Sequence, residues 1–171
     1  MSEIIDVSLD ELVPKEIKTE SDKRIFFNQW KLYVEMADKI GQRRGNTNNF
    51  FLSINALLLT ALIVLLEQHL ILGLLPLLIL GLVLSLIWRN LIVYYGSLSR
   101  VKFRIINKLE EMLPARGYIV EWQKLKQGRD PKEFWSSSKL EIIAPISLVI
   151  FYFISIVGLV ANFLIIMYTA S

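Results

Sequence analysis

Two long apolar runs follow one another closely in the first half of the sequence. They cover residues 49–66 and 70–87, 18 residues each, and the tripeptide "EQH" separates them. An α-helix of this length spans about 27 Å, close to the roughly 30 Å of a bilayer's hydrocarbon core. A third run, residues 142–168, carries no charge and is long enough to cross a bilayer with some tilt. The pattern predicts three transmembrane helices, with "EQH" as the turn between the first two.

Amphipathic segments flank the first two spans. Apolar side chains recur every three or four positions in residues 21–48, as on one face of an α-helix, and the stripe is Phe26, Trp30, Tyr33, Ala37 and Ile40. A second stripe follows the second span through residues 88–113, and it is Leu91, Tyr94, Leu98, Val101, Ile105, Leu109 and Met112. We expect two helices that extend the spans outside the bilayer.

The remaining segments are a tail and a linker. Residues 1–20 form a variable N-terminal tail, and residues 114–141 form a linker with a short helix at "YIVEWQKL". Aromatic side chains are expected to anchor the linker: Trp122, Phe134 and Trp135. Pro76 is expected to kink the second span, and Pro145 to occupy the first turn of the third.

The basic residues predict an orientation. Eight Lys and Arg precede the first span, none lies in "EQH", eleven lie between Arg89 and Lys139, and none follows the third span. Because basic residues concentrate on the cytoplasmic side, we expect a cytosolic N-terminus and linker, and a periplasmic turn and C-terminus. The net charge of +3 is therefore a sign of topology and does not predict a nucleic-acid partner.

Residues that carry common enzyme chemistry are scarce. The chain has no Cys and one His, His69, which lies in the predicted turn. It has no phosphate-binding loop, dinucleotide motif, zinc-peptidase motif or nucleophile elbow. We therefore expect no enzymatic activity, no cofactor and no metal site.

The two amphipathic helices must bury their stripes. The residues that we expect to serve in helix or oligomer packing are Phe26, Trp30, Tyr33, Ala37, Leu98, Ile105 and Leu109. The stripes could pack on each other within one chain, or also between subunits, because two helices present more apolar surface than one contact closes. Alternatively, the first helix could lie on the membrane surface.

The polar residues within the spans are few and not ionisable: Ser53, Asn55, Thr60, Ser85, Ser147, Ser155 and Asn162. Proton-coupled and ion-coupled carriers usually place a charged residue in the membrane. The absence of charged residues from the three spans therefore disfavours a transporter. We expect Asn55 and Asn162 to form hydrogen bonds between helices, each contributing about 0.6 to 2 kcal/mol. The alternative is that these amides line a water-filled pore.

Four segments in order resemble a known family: "WKLYVEMADKIGQRRGNTNNFFLSINALLLT", "SLIWRNLIVYYGSLSRVKFRIINKLEEMLP", "EWQKLKQG" and "LEIIAPISLVIFY". From about Phe26 to the end, the chain resembles the RipA-type octameric membrane proteins, which are small bacterial inner-membrane proteins. The motif residues are Tyr33, Glu35, Asp38, Arg43, Arg44, Asn49, Phe50, Trp88, Tyr95, Lys102, Phe103, Glu110, Pro114, Glu121 and Trp122. The resemblance implies an all-α membrane subunit in a ring of eight, without a known enzymatic site.

Two adjacent motif residues, Arg43 and Arg44, stand at the predicted cytosolic end of the first span. We hypothesise that they form a salt-bridge network with carboxylates of the second extension and linker, namely Glu110, Glu111 and Glu121. An exposed pair would contribute only about 0 to 1 kcal/mol, but a partly buried network could contribute more.

These observations favour a non-enzymatic homo-oligomeric scaffold or regulator that lies in the lipid bilayer and meets an unidentified cytosolic protein through its extensions. The alternative is a gated channel or pore, such as a stress or antiphage effector. A small-solute carrier is disfavoured by the uncharged spans.

The distribution of basic residues makes a topology prediction. A reporter that is active only in the periplasm should be active when fused after Ser171 and inactive when fused at Gly117, because the basic linker stays in the cytosol. Enzyme activity of the two fusions in intact cells is the measurement. The opposite pair of results would contradict the orientation.

Overall fold

The computed structural model describes residues 19–124 and 137–170. They form four α-helices: α1 Glu20–Glu67, α2 Ile71–Glu110, α3 Gly117–Lys124 and α4 Ser137–Ala170. The predicted all-α fold is confirmed, and α1, α2 and α4 are long and apolar enough to cross a membrane. The tail up to residue 18, the linker residues Phe134 and Trp135, and the side chain of Trp122 lie outside the described part.

The extensions and the spans share the same helices. Residues 21–48 and 49–66, predicted as consecutive segments, belong to the single 48-residue helix α1, which contains no proline. Helix α2 likewise includes the second span and its extension, but it ends at Glu110, before Pro114. The short helix predicted at "YIVEWQKL" is α3.

One proline expectation is wrong. Helix α4 begins at Ser137, so Pro145 lies in its interior and not in its first turn. Proline has no backbone N–H, so Pro145 cannot donate the usual helical hydrogen bond to the carbonyl four residues earlier. The Pro145 ring is nevertheless fully buried. Sequence alone suggested a later start because the apolar run begins only at residue 142.

The turn between α1 and α2 is tight. The N–H of Leu70 donates to the carbonyl of Leu65 at 2.9 Å, and the N–H of His69 donates to that of Leu66 at 3.2 Å. This is the Schellman pattern of helix ends, and His69 holds the left-handed position with a φ of 57°. The chain therefore reverses at "EQH", as predicted.

The described residues fall into two compact units. The span unit comprises residues 43–95 and 137–170, and the extension unit comprises residues 19–42 and 96–124. In the span unit, one buried cluster contains Leu62, Leu74, Leu78 and Tyr152, and another contains Phe51, Trp88 and Ile92. The most apolar window of α2 is 28% buried and that of α4 only 6%, so α4 presents the most apolar surface.

In the extension unit, the predicted α1 stripe is the packed face. Phe26, Ala37 and Ile40 are buried, while Trp30 and Tyr33 are half-buried. Part of the exposed remainder is also apolar, including Ile25 and Leu32.

The predicted α2 stripe is only partly correct. Leu109 is buried, and Leu91, Leu98 and Ile105 are half-buried, but three other predicted members are exposed: Tyr94, Val101 and Met112. The side chains that α2 buries completely include Ile92 in the span unit and Ile106 in the extension unit. The packed face is thus centred about one residue further along the helix. A spacing of three and four fits either face, because neighbouring stripes on α2 are both rich in apolar residues.

Candidate functional site

A hydrogen-bonded polar group lies inside the span unit. The side-chain oxygen of Asn55 accepts from the hydroxyl of Tyr152 at 3.1 Å and from that of Ser85 at 3.3 Å. The amide nitrogen of Asn55 donates to the carbonyl of Phe51, one turn earlier, at 2.8 Å. All three polar side chains are at most 2% exposed. Asn55 therefore joins α1 to both α2 and α4, as its predicted role in helix packing requires.

Gly81 makes room for the ring of Tyr152. A methyl group on Gly81 would overlap three carbon atoms of the Tyr152 ring, because the ring lies directly on the backbone of α2. Small residues allow such close approach between helices in membranes. The contact lets the Tyr152 hydroxyl reach Asn55 on the third helix.

Two further polar contacts lie towards the charged end of the span unit. The indole N–H of Trp88 donates to the side-chain oxygen of Asn48 at 2.8 Å, and its ring stacks on Phe51 with centroids 5.9 Å apart. The guanidinium of Arg44 donates to Glu141 at 2.6 Å and contacts both carboxylate oxygens. This fork joins α1 to α4 with both side chains largely shielded from water.

These contacts define the register of α1 and α4. Arg44 and Glu141 are 97 positions apart, as are Asn55 and Tyr152, so the two helices run parallel in one register. The last residue of α1, Glu67, is then level with position 164. Helix α4 continues to Ala170, about 9 Å further at 1.5 Å per residue.

The two asparagines predicted as equivalent differ in the structure. Asn55 is buried, whereas Asn162 is exposed on α4, level with Leu65 near the end of α1. The helix-packing role of Asn162 therefore stays a prediction. Both amides interrupt an apolar run, and sequence alone could not show how deeply each is buried or whether it faces another helix.

The salt bridges also differ from those predicted. Arg44 binds Glu141, and Glu111 binds Lys108 at 3.0 Å. Arg43 and Glu121 are exposed. Glu110 has a different role: its carboxylate accepts from the backbone N–H groups of Tyr118 and Ile119 at 3.1 and 2.9 Å.

The buried Glu110 caps a helix from outside it. Tyr118 and Ile119 belong to the first turn of α3, where backbone N–H groups have no acceptor within the helix. A carboxylate at this end also interacts favourably with the helix dipole. Glu110 is 2% exposed and thereby holds α3 against the end of α2.

An open groove of about 640 Å³ adjoins this cap in the extension unit. Helix α1 supplies Phe27 and Trp30 to its wall, α3 supplies Tyr118 and Glu121, and Glu110 and Leu113 complete the side near the end of α2. The ring centroids of Phe27 and Trp30 are 5.8 Å apart, and those of Trp30 and Tyr118 are 6.2 Å apart with a 65° angle between their planes. The groove is therefore both aromatic and acidic.

Two properties show that this wall is polar as well as aromatic. The indole nitrogen of Trp30 is buried and has no hydrogen-bond partner among the described residues. Burial raises the pKa of the Tyr118 phenol above its ordinary value of 10.0, and the carboxylates of Asp38, Glu121 and Glu110 raise it further. The phenol thus lies in a negative potential. In residues 19–124 and 137–170, no group of three or more His, Asp or Glu is placed to hold a metal ion.

Three apolar helices that satisfy their inner polar groups with one another define a helical membrane protein. Comparison with protein families matches residues 27–164 to the octameric membrane protein family (8xMP), and the chain belongs to this family. The resemblance predicted from the sequence is thereby confirmed at family level. Neither the curated proteins nor the solved structures gave a match.

Sequence reasoning missed three residues of the span unit: Tyr152, Gly81 and Glu141. Tyr152 is the one polar aromatic residue in the middle of the third apolar run, and that position could have marked it. Glu141 borders the same run, as Arg44 borders the first, so a shared membrane boundary was a usable signal. Gly81 had no such signal, because its role depends on which helix faces it.

The contact between Gly81 and Tyr152 makes a prediction. Gly81→Ala should lower stability by about 2 kcal/mol or more, because the added methyl group overlaps the ring. Gly45→Ala meets open space and should be neutral or stabilising by about 0.5 to 1 kcal/mol. Thermal unfolding of both variants in detergent, followed by circular dichroism, measures the difference.

A double variant tests the cause. Combining Gly81→Ala with Tyr152→Leu should cost less than the sum of the two single changes, because the overlapping ring is gone. Strict additivity would show that Gly81 acts through something other than Tyr152.

Proposed function

We propose that the chain assembles into a homo-octamer in a bacterial inner membrane, as a RipA-type member of its family, and acts as a non-enzymatic scaffold or regulator. Its N-terminus and extension unit face the cytosol and its C-terminus faces the periplasm. Lipid and neighbouring copies surround the span unit, and a cytosolic protein is the partner of the extension unit. The family's description supports the number of subunits, and the distribution of basic residues supports the orientation.

The observation that carries the proposal is the use of polar groups in the span unit. The hydroxyls of Ser85 and Tyr152 and the oxygen of Asn55 are engaged with one another between helices. A pore needs polar groups turned towards water, and these are buried among apolar side chains. Their arrangement supports a structural role for the spans.

The extension unit has the surface that a scaffold requires. It exposes apolar side chains outside the apolar runs, among them Phe27, Val101, Phe103 and Val120. Exposed apolar patches on polar surfaces often mark protein contacts. This surface supports the choice of the extension unit as the part that meets a partner.

Mass and conductance test the assembly against the channel alternative. The detergent-solubilised complex should have a protein mass of eight times 19.8 kDa, about 158 kDa, by native mass spectrometry. The purified protein should show no steady conductance in planar bilayers.

Asn55→Leu should lower the unfolding midpoint, because it leaves the hydroxyls of Ser85 and Tyr152 without their acceptor.

Ser155→Ala is the matched control, because within the described residues that hydroxyl bonds to the carbonyl of Phe151 in its own helix. A reproducible single-channel current that persists in Ser155→Ala and disappears in Asn55→Leu would contradict the scaffold proposal and support a pore. A mass other than eight subunits would contradict the assembly.

Photo-crosslinking tests the proposed cytosolic partner. A photoreactive amino acid replacing Val120, which is 48% exposed on α3, should capture a cytosolic protein in cells. The same amino acid replacing Leu57, which is 70% exposed on the apolar part of α1, should capture only lipid or copies of the chain. Capture of the chain alone at both positions would show that the extension unit is a subunit contact and not a scaffold surface.

A further inference from the structure

The groove of the extension unit has the two components of a site for an organic cation. Its aromatic wall is angled, because the ring planes of Trp30 and Tyr118 lie at 65° to each other. Phe27 stacks beside Trp30. Ring faces attract cations within about 6 Å of their centroids. The carboxylates of Glu110 and Glu121 line the same groove and add negative charge.

The carboxylate of Glu121 is not paired with a basic residue of the described chain, and Lys124, three positions later on α3, forms no ion pair with it. Glu121 is exposed and forms no ion pair with any residue in the described part of the chain. Arg116, which precedes Gly117 in the turn, donates to the backbone carbonyl of Glu111 at 3.3 Å. Lys108 binds the carboxylate of Glu111. A positive ligand would therefore meet a free carboxylate beside exposed ring surface.

The same unit already contains this kind of contact. The ammonium of Lys102 lies 4.7 Å from the centroid of the Tyr33 ring. Cation and ring thus attract each other in this environment without a direct salt bridge. The groove has several rings and adds two carboxylates to this kind of arrangement.

We propose that this groove binds a small organic cation with an alkylated ammonium head. The head group lies against the rings of Trp30 and Tyr118 and near the carboxylate of Glu121. The volume of about 640 Å³ lies within the range of small-molecule sites. The cation would contact both α1 and α3, the helices that carry Trp30 and Tyr118.

An apolar occupant fits the groove less well. The stripe of a second copy would cover the carboxylate of Glu121 and withdraw it from water without a partner. It would also offer no acceptor to the indole nitrogen of Trp30, which the described residues leave unpaired. A cation compensates the carboxylate, and an oxygen attached to the cation would serve the indole after a small shift of the ring.

The experiment compares choline with 3,3-dimethylbutan-1-ol, a neutral molecule of nearly the same shape, on the full chain in a maltoside detergent. With fluorotryptophan in the protein, the four Trp residues give fluorine resonances, and the Trp30→Phe spectrum assigns that of Trp30. Choline should shift the Trp30 resonance saturably, with a dissociation constant on the order of 1 mM. The neutral molecule should bind at least about tenfold more weakly, because it lacks the charge.

Glu121→Gln should weaken choline binding about tenfold, because it removes the exposed charge but leaves the Glu110 cap intact. Glu35→Gln is the matched control: it removes one exposed carboxylate of α1 outside the groove and should leave affinity unchanged. Circular dichroism and gel filtration check that both variants keep their fold and assembly. Equal binding of the two molecules, equal effects of the two variants, or no shift of the Trp30 resonance would overturn the proposal.

Discussion

The arrangement of the three spans depends on the amide of Asn55. Lipid offers no hydrogen bonds, so an amide inside a span must find its partners in the protein. The oxygen of Asn55 takes both donors, Ser85 from α2 and Tyr152 from α4, at a single level. Apolar contacts have little directional preference, whereas this hydrogen-bonded contact is lost after a shift of one residue. A polar group of modest energy thereby fixes the register of an otherwise apolar bundle.

The other directional contacts of the span unit agree with that register. The fork between Arg44 and Glu141 has the same separation along α1 and α4 as the contact between Asn55 and Tyr152. The first lies at the charged end of the spans and the second among apolar residues, so an ion pair and a neutral hydrogen bond support the same alignment. The close approach at Gly81 is required by the same alignment, because the Tyr152 ring must lie on α2 to reach Asn55. Agreement between independent contacts favours one packed state over its alternatives.

Sequence reasoning predicted the features that depend on composition and period. The three apolar runs, the turn at "EQH" and the buried stripe of α1 each require only one segment, and the structure places them as expected. It failed where two segments must be aligned. Asn55 and Asn162 look alike in sequence, and Arg44 has several carboxylates to choose from, but register alone selects Asn55 and Glu141. The start of α4 was also misplaced, because a helix can continue through polar residues that an apolar run does not include.

Both units pair buried polar groups with one another. In the span unit, the oxygen of Asn55 has two donors and the indole of Trp88 has an acceptor. In the extension unit, Glu110 is paired with the first turn of α3, yet beside it the indole nitrogen of Trp30 has no partner among the described residues. A buried donor without an acceptor is unfavourable, and this one lies next to an exposed carboxylate and partly exposed rings. The unpaired indole, the partly exposed rings and the exposed carboxylate are the features on which the proposed cation site rests.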